Sequence, residues 1–378
     1  MLRCLRKTGL FICLVTTFLA NPGLAQPSPQ QANVSVEILE NRLQYPWAMA
    51  FLPNNQGILI TERPGQLRLW TAQTGLSAPI SGVPKVFNRG QGGLLDIALA
   101  PEFSSSRHVY LSYAEAGSTG QASTSVGYGK LSEDMKKLDN FQVIFRQEPK
   151  LSNGIHFGSR LVFDDNGYLF IALGENNQRP TAQDLDKLQG KIVRLFPDGR
   201  IPQDNPFFKV PGVRPEIWSY GHRNQQGAAL NPWTRQLWTH EHGPRGGDEI
   251  NIPEPGKNYG WPVITHGINY SGTPIPEAAG THAKGMEQPI YYWKVSPAIS
   301  GMAFYDSPQF PEWKNSLFIG ALAGQRLIRL TVDGNNIIAE EDLLQDRNKR
   351  IRDVRVGLDG YVYVLTDSSQ GKLLKISP

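Results

Sequence analysis

The chain has 378 residues, with 38 Lys plus Arg against 34 Asp plus Glu, a formal charge of +4 and two cysteines. Arg3, Arg6 and Lys7 supply three of those positive charges, so the remainder carries +1 and favours neither nucleic acid nor an anionic membrane surface. Cys4 and Cys13 both lie in the first 25 residues; without that segment no disulfide framework, thiolate nucleophile, zinc ribbon or haem-attachment motif is possible.

That segment reads as a secretory signal. Three cations precede an apolar run from Leu10 to Ala20, and small residues follow at Gly23-Leu24-Ala25. The run is too short for a transmembrane helix, which needs about 20 apolar residues. Cleavage near Ala25 or Gln26 predicts a periplasmic or secreted chain with no membrane insertion. Residues 26–32 form a flexible leader, and residues 33–378 are one folded domain.

From there the pattern is β. A short apolar strand, a turn with Pro, Asp, Asn or Gly, and a second strand rich in β-branched and aromatic residues recur. The unit begins at Trp47 (WAMAFLPNNQGILITERPGQLRLW), Leu94, Ser159 (SRLVFDDNGYLFIALGE), Gln226, Ile299 and Ile351 (IRDVRVGLDGYVYVLTD). Six copies at intervals of roughly fifty to seventy residues predict an all-β, six-bladed β-propeller rather than a pair of β-sandwiches. Asn33 to Glu40 (NVSVEILE) precedes the first copy and is placed to supply the outer strand of the last blade, closing the ring.

The chemistry-bearing residues fall at strand ends, where a propeller's loops converge on its channel. His156 lies between glycines just before a strand, and Arg223 and Asn224 hold the equivalent place in the next unit. Arg350 and Arg352 bracket Ile351, so a period of two points both the same way, and Gln91 precedes the strand of the second unit. Singly, such a histidine is a capping residue and such arginines a solvated strand face. Their recurrence at matching positions is the signal. The densest stretch, HEHGPRGGDEINIPEPGKNYGWP from His240 to Pro262, is too rich in glycine and charge to build core. It is not a zinc-protease helix, because the second histidine of H-E-x-x-H would fall at Pro244.

GQGGLLDIALAPEF, HFGSRLVFDDNGYLFIALGENNQRPTAQDLDKLQGKIVRL, GHRNQQG, EHGPRGGDEINIPEPGKNYGWP and RIRDVRVGLDGYVYVLTD together resemble the soluble quinoprotein sugar dehydrogenases. The periplasmic aldose sugar dehydrogenases are the nearest branch. The resemblance spans essentially the whole mature chain. It implies a six-bladed propeller that oxidises aldose sugars at C1 to lactones, with pyrroloquinoline quinone (PQQ) and calcium as cofactors. By the same resemblance, His156 matches the general base, with hydride passing to PQQ. Arg223, Asn224, Arg350 and Arg352 match cofactor-binding residues, and Gln91 and Trp293 residues beside the sugar. The carbonyls of Gly243 and Pro244 match ligands of the PQQ calcium, and Glu249 with the carbonyl of Tyr259 a second, structural calcium site. The chemistry agrees: arginine forks suit a tricarboxylate, and calcium takes oxygen ligands including backbone carbonyls.

Two positions depart from the family pattern. Ala323 stands where many members have lysine, with Gln325 or Arg326 nearby as substitutes, and Ile155 stands where relatives are polar. The alternative function is a calcium-stabilised propeller that binds sugar or protein without turnover; His156 with Arg223, Arg350 and Arg352 argues against it. A lactonase would want carboxylates facing the axis from several blades. No haem motif or second redox domain is present, so the electron acceptor is external.

Overall fold

The computed structural model describes the backbone of Gln30–Gln31 and residues 34–378. The expected signal, residues 1–25, lies outside the described residues, as does most of the leader. Gln30–Gln31 pairs in parallel with the outer strand Asn336–Leu343.

Six sheets, each built on four antiparallel strands, follow one another in chain order; Gln30–Gln31 adds a fifth, parallel strand to the fifth of them. Their innermost strands are Pro46–Phe51, Leu94–Leu99, Gly158–Phe163, Gln225–Leu230, Ile299–Tyr305 and Ile351–Val356. Each strand starts at, or one residue before, one of the six repeats read from the sequence. We number the blades one to six by these strands. Blade six takes its outer strand from the other end of the chain: Ser35–Leu43 pairs antiparallel with Gly371–Ser377. The ring is therefore closed by backbone hydrogen bonds, as the position of NVSVEILE predicted.

The core is divided among the six seams between neighbouring blades. Each has its own apolar cluster, such as Trp47, Leu59, Leu94 and Tyr113 between blades one and two. Another is Trp238, Ile250, Ile299 and Ile319 between blades four and five. The seam between blades three and four has the smallest, built on Phe170, Ile192, Ala228 and Leu237. Polar contacts also cross that seam, among them the Gly158 amide to Asn224 Oδ1 at 3.3 Å.

Along the axis the packing is ionic. Arg160 of blade three is fully buried, with Nη1 3.1 Å from Asp96 of blade two and 3.0 Å from Asp353 of blade six. Its Nε donates to the carbonyl of Gln226 in blade four at 2.7 Å. Asp353 accepts from the Met49 amide of blade one at 3.1 Å, and Arg355 donates to the Met302 carbonyl of blade five at 3.3 Å. One connected network thus touches all six blades. Removing one member strands buried opposite charges, which costs about 3–5 kcal/mol.

All six innermost strands carry a register shift within their first four residues, for example between Gly158 and Leu161 or Ile351 and Asp353. A bulge turns successive side chains off strict alternation. Here it lets Arg352 and its neighbour Asp353 both contact groups of other blades, Gln226 and Arg160 respectively.

Arg160→Met is expected to lower unfolding free energy by about 3–5 kcal/mol, because Asp96 and Asp353 lose their shared counter-charge. Urea denaturation followed by tryptophan fluorescence measures this. A loss below about 1 kcal/mol would show that the axial ion pairs do not hold the ring.

Candidate active site

A cavity of about 280 Å³ opens at the end of the axis where the innermost strands begin. Its wall has two tiers. Trp47, Leu95, Gly158, Gln226, Ala298 and Arg352 come from the starts of the six innermost strands. Arg63, His242, Leu322 and Asp367 directly follow the second strands of blades one, four, five and six. In an up-and-down sheet, the start of strand one and the end of strand two lie at the same edge.

His156 does not itself line the cavity but adjoins Phe157 and Gly158, which do, and its amide donates to the side-chain oxygen of Gln91, also on the wall, at 2.8 Å. Its φ of 53° is left-handed, a conformation that costs a non-glycine residue and persists only where surroundings enforce it. The enforcement is visible. The Asn176 side chain donates to the His156 carbonyl at 3.2 Å, and a Cβ on Gly174 would come within 1.9 Å of that same oxygen. The imidazole Nδ1 lies 3.0 and 2.9 Å from the two carboxylate oxygens of Glu175, which is fully buried. Among the described residues nothing hydrogen-bonds Nε2. The pair therefore presents an imidazole whose inner nitrogen is held and whose outer nitrogen is free.

Asn224 accepts from the Gly158 amide at 3.3 Å and from Gln226 Nε2 at 3.2 Å, tying blade four to blade three. Arg223 donates from Nη1 to the His242 carbonyl at 3.0 Å, and its guanidinium lies 5.2 Å from the centre of the Trp261 ring. Arg350 and Arg352 both reach Asp367, at 2.9 and 3.4 Å. Arg352 also lies 5.8 Å from the Trp47 ring, which has Arg160 at 4.3 Å. Burial first, then the nearby cations Arg160, Arg350 and Arg63, bring Arg352 down to about 10 against the opposing pull of Asp367. Burial pushes His242 down to about 4, so it is uncharged at neutral pH.

The glycine-rich stretch divides in two. Gly243 donates its amide to Asp248 at 3.0 Å, and Asp248 also receives the Ser296 hydroxyl at 2.6 Å and the Ile299 amide at 3.2 Å. This fixes the loop against blade five. The carbonyls of Gly243 and Pro244 accept no hydrogen bond among the described residues. Further out, Glu249 pairs in register with Glu241, and Asn251 Nδ2 bridges them at 3.0 and 3.4 Å. Burial and the Glu241 charge push the Glu249 carboxyl up to about 8. Glu241 also contacts His222 Nδ1 at 3.0 Å, and His222 stacks on Tyr259 at 4.9 Å. The Tyr259 carbonyl accepts no hydrogen bond among the described residues.

Trp293 is not brought to the cavity. It sits on the outermost strand of blade four, buried, with Nε1 donating to Glu340 at 3.0 Å and its ring edge-on to Tyr291. Its proximity to polar loops in sequence reflects the strand's end, while its side chain fills the seam with blade five. Ala323 lines a neighbouring trough with Pro244, Arg245, Tyr270 and Lys294. Arg326 is held away by Asp342 at 2.6 Å. The Ile155 side chain is half-buried, and its carbonyl accepts from Asn176 at 3.2 Å. Sequence reasoning missed Trp47, Arg63, Glu175, Gln226, His242 and Asp367. Four of these follow a second strand directly or by one residue, a positional signal the repeats already contained.

Trp293→Phe is expected to lower stability by about 1–3 kcal/mol by leaving the buried Glu340 carboxylate short of a donor. Chemical denaturation measures this; an unchanged midpoint would mean that the Trp293–Glu340 bond is dispensable.

The sequence profile of the glucose/sorbosone dehydrogenase family matches residues 43–375. The aldose sugar dehydrogenase of Escherichia coli is 61% identical over 367 residues, covering 97% of this chain and 96% of that protein. The crystal structure of the soluble E. coli aldose sugar dehydrogenase in its apo form superposes with a TM-score of 0.91 at 64% identity, covering 91% of this chain and 99% of that one. The PQQ-bound aldose sugar dehydrogenase of Streptomyces coelicolor gives a TM-score of 0.73 at 27% identity, covering 93% and 100%.

Proposed function

The chain belongs to the glucose/sorbosone dehydrogenase family, and from that premise we propose that it oxidises aldose sugars at C1 to lactones with PQQ and calcium. The observation that carries this reading is electrostatic. The cavity wall holds three arginines, Arg63, Arg350 and Arg352, against one carboxylate, Asp367. Buried Nε–H groups of Arg63 and Arg352 on that wall, and of Arg223 nearby, have no acceptor among the described residues. Unsatisfied buried donors are costly, and several arginines turned to one cavity suit a ligand with several carboxylates. PQQ is a tricarboxylate, so the residues present fit it, with Arg223, Asn224, Arg350 and Arg352 holding it.

Calcium fits as well. Among the described residues no three His, Cys, Asp or Glu side chains converge on one point, so a hard cation would rest mainly on carbonyl oxygens and water. The unpaired carbonyls of Gly243 and Pro244 suit that donor set beside the cavity. The close Glu241–Glu249 pair, with the carbonyl of Tyr259, suits a second, structural ion.

When bound, PQQ supplies the two-electron acceptor for the C1 hydrogen, which leaves the sugar as hydride. The chain's own work is to move the proton. Glu175 accepts a hydrogen bond from Nδ1–H of His156 and thereby fixes the tautomer with its lone pair on Nε2. Nε2 takes the C1 hydroxyl proton as the carbonyl of the lactone forms. Gln91, bonded to the His156 amide, places an amide group at the same spot for the sugar's hydroxyls. Nothing assigns Trp293 a sugar contact beyond the family resemblance. We further propose export after cleavage near Ala25, with electrons passed to an external acceptor. No helix among the described residues is long and apolar enough to cross a membrane.

Purified apo-protein given PQQ and calcium is expected to reduce an artificial dye in an aldose-dependent way, with lactone as product. Chelation before reconstitution should abolish this, and full turnover by metal-free protein would sink the calcium assignment. Calcium should also raise the melting temperature, and Glu249→Gln should remove most of that rise.

His156→Asn is expected to lower kcat by about a hundredfold or more while PQQ still binds. Glu175→Gln should give a smaller fall in kcat with KM little changed. Near-normal turnover by PQQ-loaded His156→Asn protein would place the base elsewhere.

A further inference from the structure

Arg63 follows the second strand of blade one and precedes the turn at Pro64-Gly65, so in sequence it looks like a solvated hairpin cation. Its setting is different. The amide donates to the Tyr45 carbonyl at 3.0 Å, and its own carbonyl accepts from the Leu94 amide at 3.0 Å. A Cβ on Gly93 would lie 2.5 Å from its Cγ, so the side-chain stem runs tightly against blade two. Nη1 donates to the Gly90 carbonyl at 3.1 Å, next to Gln91, and the guanidinium lies 5.0 Å from the centre of the Tyr45 ring. Nε is buried without an acceptor, and among the described residues no carboxylate pairs with Arg63.

We propose that Arg63 is a carboxylate-binding residue of the cofactor site, gripping one carboxylate of PQQ through its Nε–Nη2 edge. The assignment rests on the PQQ reading above. Nη1 is spent on Gly90, which leaves the side of the guanidinium that forms two parallel hydrogen bonds with a carboxylate. Arg350 and Arg352 share Asp367 as a counter-ion, whereas Arg63 has none. Arg63 is thus a cation on the wall with no carboxylate at ion-pair distance among the described residues. It is close enough to act electrostatically on both Arg352 and Asp367, which puts all three arginines around one anion.

The test is an equilibrium titration of calcium-loaded apo-protein with PQQ, read by quenching of tryptophan fluorescence and run without sugar. R63A is expected to raise the Kd by about ten- to a hundredfold, the range for losing a charge-assisted hydrogen-bonded pair. R63K keeps the charge but lacks the fork, and should recover only part of the loss. Should R63A fold poorly, as judged by its melting curve, R63K and R63Q carry the comparison. A Kd for these variants within about twofold of wild type overturns the assignment to Arg63 and leaves the cofactor reading intact. Full recovery in R63K overturns the two-bond grip. Failure of the wild type to bind PQQ overturns the cofactor reading itself, and this assignment with it.

Discussion

The buried guanidinium of Arg160 is the point on which the ring's geometry depends. Propeller blades pack pairwise, so neighbouring seams could each relax without informing the others. Arg160 prevents that by meeting Asp96, Asp353 and the Gln226 carbonyl at once, while Asp353 and Arg355 extend the contact to Met49 and Met302. Such a network is a poor source of net stability compared with apolar packing, because its charges must be desolvated. What it supplies is register: each blade has one inward position that satisfies its partner. The cavity lies at one end of this axis, and Trp47, between Arg160 and Arg352, connects the two.

Bulges at the starts of the inner strands explain how so polar a cavity sits on so regular a scaffold. A strictly alternating strand would give each blade one inward side chain in every two. The shifts at Gly158, Gln225 and Ile351 break the alternation where the strands meet the cavity. Below them the strands resume a normal ladder, so the departures are confined to the functional end. The same economy appears in His156, whose left-handed backbone is enforced by Asn176 and by the bare Cα of Gly174.

The fold was legible because the repeats are local. Each unit is a meander whose strands pair with their sequence neighbours, so strand starts at Trp47, Leu94, Ser159, Gln226, Ile299 and Ile351 could be read from alternation and turns alone. His156, Gln91, Arg223, Asn224 and Arg350 stood out as candidates because they precede innermost strands, and Arg352 because it is the second residue of one. Glu175, Arg63, His242 and Asp367 did not, because each follows a second strand and reads as turn chemistry until the hairpin brings it back to the same edge. Trp293 shows the opposite error. An aromatic beside a polar loop looks available, but facing direction within an outer strand is decided by the neighbouring blade, here by Glu340. The proposed PQQ-contacting roles come from family resemblance, and the arginines lining the cavity are of the chemistry that such a ligand calls for.

The closure of blade six sets a condition on how the chain can fold. Ser35–Leu43 precedes all the strands of blade one, yet its partner Gly371–Ser377 follows those of all the other blades. That strand must therefore wait, with both edges unpaired, until Gly371–Ser377 has been made. Loop-closure entropy over so long a separation is modest, but the search is slow because it comes after every local pairing. Blades one to five can form in order as they emerge, whereas the cylinder as a whole is cooperative only at the final join. Loss of Gly371–Ser377 would remove both a strand and the anchor for Ser35–Leu43, opening the seam between blades six and one. Arg350, Arg352 and Asp367 sit in blade six, so the cavity would lose its wall at the place where the ring failed to meet.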